Sequence, residues 1–146
     1  MYDYATISNA LEEIVNEYGA DYVYERPEKD EYGTTTGSCL YVHHLKDGRY
    51  VPGCIIGHLL VRLGEISMES FPGTRANGLT VTAFLNGYSR ENLREEFTVK
   101  ARTLMTRVQE QQDAGDTWGK SLEYGRNWVK DYNENGYYVH NTADAL

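Results

Sequence analysis

The chain has 146 residues, enough for one domain with a core of its own, and 40% of them are hydrophobic and 25% charged, which excludes wholesale disorder. No apolar run approaches the eighteen or so residues a membrane-spanning helix needs, and the Met1-Tyr2-Asp3-Tyr4 start has no basic and apolar leader, so a cytoplasmic location without membrane contact is expected. The net charge is −8, and residues 1–31 carry nearly all of it, with nine acids against Arg26 and Lys29. That balance disfavours nucleic-acid binding, which rests on Lys and Arg neutralising phosphates.

In chain order, Ile7, Leu11, Ile14, Val15 and Tyr18 recur at helical spacing, and Gly19 ends that helix. Its other face carries Glu12, Glu13 and Glu17. Tyr22-Val23-Tyr24 reads as a short strand near 22–25, stopped by Pro27. Residues 27–38 are a polar loop, and its Gly33–Ser38 stretch lacks the lysine of a phosphate-binding loop. A second strand is expected near 39–44, a tight turn at Asp47-Gly48, and a return strand near 49–51.

Pro52-Gly53 then opens a helix over 54–63, with Gly64 behind it. Residues 65–78 look irregular, with Ser67 capping a single turn and Asn77-Gly78 making a bend. Thr80 to Leu85 mixes strand and helix signals, and the helical reading is preferred. Leu93, Phe97, Ala101, Leu104 and Val108 form the seam of a long helix over 90–114. A last helix over 117–131 buries Trp118, Leu122, Gly125 and Val129, and the short turn at Gly115 sets the two antiparallel. Tyr137 to His140 would add an edge strand. The expected fold is α+β: a single, mostly helical domain over 1–146 with a small antiparallel sheet packed on helices.

Chemistry concentrates at Cys54 and His58. At i and i+4 of a predicted helix they share a face, and a thiol in a first turn is held toward its thiolate by the helix dipole. The same two residues serve equally as a buried small side chain and a satisfied core histidine. A zinc reading adds Cys39 and His43 or His44. Residues four apart on a strand lie about 13 Å apart, so Cys39 and His43 cannot both reach one ion. A three-ligand site of Cys54, His58 and one of His43 and His44 survives that objection. With only two cysteines no disulfide framework exists.

No hydrolase, zincin, dinucleotide or kinase pattern is present. Arg90, Arg94, Lys100, Arg102 and Arg107 alternate with Glu91, Glu95, Glu96 and Glu110, which on one helix would be a salt-bridged solvent face. Thirteen tyrosines against three phenylalanines favour surfaces that are apolar in body and polar at the rim. Among the aromatics, Trp128, Tyr137 and Tyr138 are the candidates for an interface.

The order of these pieces resembles a group of small proteins, with no assigned activity, from actinobacteria and their bacteriophages. The residues that carry the resemblance are Asp21-Tyr22-Val23-Tyr24-Glu25, Cys39-Leu40-Tyr41-Val42-His43, Pro52-Gly53-Cys54-Ile55-Ile56-Gly57-His58 with Leu63-Gly64, and Gln112-Asp113-Ala114-Gly115-Asp116-Thr117-Trp118-Gly119. They run from about residue 10 to 125. The resemblance implies a phage accessory protein acting in the host cytoplasm.

The leading expectation is a non-enzymatic module that binds a host protein with a basic surface, through Glu12, Glu13, Glu17, Trp128, Tyr137 and Tyr138, without a cofactor. The alternatives are a small enzyme or a ligand- or zinc-binding protein centred on Cys54, His58 and His43, and a structural virion component that forms a homo-oligomer.

Overall fold

The computed structural model describes residues 1–25 and 40–139. It is mostly helical with one small antiparallel sheet, as expected of an α+β chain. The first helix, α1 (Tyr4–Tyr18), starts where the Asp3 side chain accepts the Thr6 N–H and ends at Gly19, whose φ of +94° suits glycine. Ile7, Leu11, Ile14 and Val15 of the predicted stripe are buried. Tyr18, the fifth, stays largely exposed at the end of the helix.

The hairpin pairs β1 (Val42–His44) with β2 (Tyr50–Pro52), setting His43 opposite Val51. At its tip the Gly48 N–H donates to the Leu45 carbonyl and the Leu45 N–H to the Arg49 carbonyl. Gly48 takes φ +91° there, a three-residue turn closed by a left-handed glycine. On its other side β1 is held by Asn77, a buried amide that accepts from the Val42 N–H at 3.0 Å and donates to the Val42 carbonyl at 2.9 Å. Asn77 lies in the second of two 3₁₀ turns, Phe71–Gly73 and Arg75–Gly78, within the stretch expected to be irregular.

Helix α2 (Ile55–Arg62) packs against α1 and touches β2 of the hairpin. Next comes an irregular helical stretch: α3 (Val81–Ala83), a π-turn (Phe84–Tyr88) and α4 (Ser89–Asn92). Thr80 caps it by accepting the Ala83 N–H, so the helical reading of this segment holds. Helices α5 (Val99–Asp113) and α6 (Trp118–Val129) form the most extensive helix pair. A Cβ on Gly125 would come within 2.6 Å of Val108 and 3.0 Å of Leu104, so the missing side chain is what lets their backbones approach. One cluster from Tyr2 to Val129 forms the core.

Three expectations are corrected. The long helix over 90–114 is two pieces, because Leu93 turns extended and Phe97 pairs with Tyr2 as a short parallel bridge before Thr98 caps α5. Phe97, Ala101, Leu104 and Val108 are buried as their spacing predicts, without one continuous helix. Residues 22–25 form no strand, because the Tyr22 carbonyl accepts the Trp118 N–H and so completes the start of α6 rather than a sheet. The tail bridges Tyr138 to Tyr132 and stays apart from the hairpin. The predicted loop at 27–38, Cys39 and His140 lie outside the described residues. Among those described, no helix is long and apolar enough to cross a membrane.

Candidate functional site

The Pro52–His58 segment is built by close backbone approach. The Gly53 N–H donates to the Tyr41 carbonyl at 2.7 Å and the Cys54 N–H to the Leu40 carbonyl at 3.1 Å. A Cβ on Gly57 would fall 2.8 Å from the Tyr41 Cα and carbonyl carbon, and nearer still to its oxygen. One on Gly53 would meet the His43 ring at 3.0 Å and the Leu40 oxygen closer yet. These two glycines therefore mark contact between α2 and the start of the hairpin.

Cys54 is wholly buried and is the N-cap of α2, with extended dihedrals and no side-chain capping bond. It stands one residue outside the helix, and its carbonyl accepts the His58 N–H at 3.0 Å, the first i, i+4 bond of α2. The first helical N–H, that of Ile55, donates 2.9 Å to Oε1 of Gln112 from α5. Protein thus fills the position an anion would otherwise take at this helix start.

His58 packs edge-on against Tyr18 (4.8 Å between centroids) and Trp118 (5.3 Å). Burial, reinforced by the Arg62 charge and opposed by Glu17, pushes its pKa down to about 4, so the ring is neutral at pH 7. His43, buried on β1, stacks on Tyr24, whose hydroxyl hydrogen-bonds its Nε2. His44 stacks instead on Tyr50 at 4.0 Å. Among the described residues no group of three or more His, Cys, Asp or Glu is placed to hold a metal ion.

The acids of α1 meet arginines from two other helices. Arg62 of α2 reaches Glu17 at 2.7 Å and Glu13 at 3.2 Å. Arg126 of α6 reaches Glu12 at 3.2 Å while donating to the Ser8 hydroxyl at 2.8 Å. The three carboxylates remain more than half exposed, but two guanidiniums offset most of their charge locally.

The aromatic candidates sit at the far end of α6. Trp128 is 41% exposed, and the Arg107 guanidinium lies 3.8 Å over its ring. Tyr137 and Tyr138 are 72% and 70% exposed on the turn that follows. That turn is fixed from several sides. Asn133 Oδ1 accepts the N–H groups of Asn135 and Tyr137, and Glu134 accepts from the Thr98 hydroxyl at 2.6 Å and from the Tyr4 N–H. Gly136, at φ +87°, lies against Val99.

A cleft between the π-turn and α5 brings together residues that are distant in the chain. One cavity of about 380 Å³ is lined by Leu85, Ser89, Arg90, Glu96, Phe97 and Arg102. A second, of about 300 Å³, takes in Leu85, Val99, Arg102, Thr106 and Arg107. Leu85 and Arg102 line both. The expected salt-bridged face does not form, because the break at 93–98 separates its two halves. Arg94 turns to Glu65 at 3.0 Å and Arg107 keeps Glu110 at 2.9 Å, whereas Arg90 and Arg102 form no ion pair among the described residues. The Nε atoms of Arg102 and Arg107 are buried without a hydrogen-bond acceptor, a condition that costs about 1–3 kcal/mol per group. Thr98, a capping residue midway along the supposed long helix, was the one available sequence signal for this break.

Compared with family models, curated proteins and solved structures, the chain matches none of them.

Proposed function

We propose that the chain is a non-enzymatic binding module that docks a partner protein through the exposed rings of Trp128, Tyr137 and Tyr138. The exposure of these three rings carries this reading: the chain buries Tyr41, Phe84 and Trp118 completely or nearly so, yet leaves these at its surface. Large aromatics beside an arginine have the composition of interface anchors. The pinned turn under Tyr137 and Tyr138 lowers the ordering cost of binding. Glu12, Glu13 and Glu17, with the net charge of −8, steer encounter with a basic surface rather than anchor it. On the resemblance to actinobacteriophage proteins, the partner is a protein of the host cytoplasm.

Capture from an actinobacterial lysate tests this, followed by kinetics on the protein recovered. Replacing Trp128, Tyr137 and Tyr138 together by alanine should abolish retention at low and at raised salt. Glu12→Gln, Glu13→Gln and Glu17→Gln together should slow association and leave dissociation nearly unchanged. Retention that survives the aromatic replacement, or is lost with the glutamates alone, overturns the assignment. A concentration-dependent mass in light scattering that the aromatic replacement removes would make the occupant a second copy instead.

A further inference from the structure

We infer that the cleft between the π-turn and α5 is a binding site for a small phosphate-bearing molecule, centred on Arg102. This goes beyond the docking face, which the cleft adjoins only at Arg107, whose guanidinium lies over Trp128. Arg102 lines both of two adjoining cavities and Arg90 lines the first, with Glu96 the carboxylate there, while Arg107 lines the second with its guanidinium already held by Glu110 and the Trp128 ring. Arg90 and Arg102 have no carboxylate partner among the described residues, and the buried Nε of Arg102 has no acceptor.

A planar guanidinium presents N–H donors in a fork that matches two oxygens of a phosphate, and an oxyanion entering the cleft would be met by the terminal N–H groups of Arg90 and Arg102, neither of which has an ion-pair partner among the described residues. The cavities, about 380 and 300 Å³, exceed the needs of a bare phosphate. Leu85 and Phe97 give the remainder of the ligand an apolar wall. The wide turn at Phe84–Tyr88 forms the side opposite α5, and π-turns of this kind recur where a helix borders a site.

The test is an NMR titration of the full chain with inorganic phosphate, a nucleoside monophosphate, a sugar phosphate and acetate in turn. Saturable shifts should appear in the amides of 84–90 and of the first two turns of α5. At least one of the two monoesters should bind about tenfold tighter than phosphate alone, and acetate should bind more weakly than either. Arg102→Gln should weaken the monoester by about tenfold, the effect of losing one charge-assisted pair. Arg102→Lys, which keeps the charge but not the fork, should fall between, and Arg62→Gln, at a residue that lines neither cavity, should change nothing. Unfolding of Arg102→Gln at or just above the wild-type midpoint shows that the variant is folded. Shifts that do not saturate, monoesters no tighter than phosphate, acetate binding as tightly as phosphate, or affinity that survives Arg102→Gln overturns the site.

Discussion

The Pro52–His58 segment and the α5 cleft differ in how their polar groups are used. In the first, sequence distinctiveness comes from packing: two glycines admit a backbone, the Ile55 N–H is met by Gln112, and the half-buried imidazole packs edge-on against two rings. In the second nothing is distinctive in sequence, yet two arginines have buried N–H groups without an acceptor. Where a fold has already provided partners for its polar groups, little is left for a ligand to gain. Unmet donors beside open space are where binding energy remains.

Three substitutions can break this contrast. The largest effect should come from Gly57→Ala. Alanine favours a helix by about 1 kcal/mol over glycine, but here its methyl meets the Tyr41 backbone, which cannot swing aside. A net loss of about 3 kcal/mol in urea denaturation is expected. Unchanged or raised stability would mean that the segment is not held by that contact.

Second is the pH response of His58. Its folded pKa of about 4 lies below the ordinary 6.5, so the folded state prefers the neutral ring and the unfolded chain takes up the proton first. Its contribution is complete above pH 6.5 and is lost as pH falls toward 4. Between pH 7 and 5 the wild type should lose about 1 kcal/mol more than His58→Gln, allowing for the part of the ring that solvent reaches. Parallel pH curves would remove the imidazole from the packed group.

The smallest effect sharpens the other side. Arg102→Gln should raise stability by about 0.5 kcal/mol, because a buried donor without an acceptor is removed and no internal hydrogen bond is lost, while the polar glutamine amide recovers only part of that cost. A large loss would reveal Arg102 as a structural strut instead of a vacant donor.

Much of the architecture was legible in the sequence, because hydrophobic period and glycine punctuation are local signals. Ile7, Leu11, Ile14 and Val15, the Asp47-Gly48 turn, and Trp118, Leu122, Gly125 and Val129 all fell where periodicity set them. What escaped was decided across the chain. Phe97 keeps the burial of a helical seam while pairing with Tyr2, and Tyr22 gives its carbonyl to a helix nearly a hundred residues away. The cleft escaped for the same reason. The alternation of Arg90 to Glu110 implies mutual neutralisation only if one helix runs through, and residues 93–98 interrupt it. Of the site residues read from sequence, Glu12, Glu13 and Glu17 were placed on the right face, but the arginines that meet them come from α2 and α6, which no local pattern discloses.

The Gln112 side chain also bears on the order in which the molecule assembles. Cysteine is a poor opening residue for a helix, so α2 borrows its opening acceptor from a glutamine 57 positions downstream. A peptide spanning α2 alone would lack that acceptor and stay largely unwound, since eight residues cannot sustain a helix in water. The first turn of α2 is therefore completed only when the end of α5 docks, tying early and late parts of the chain into one cooperative step.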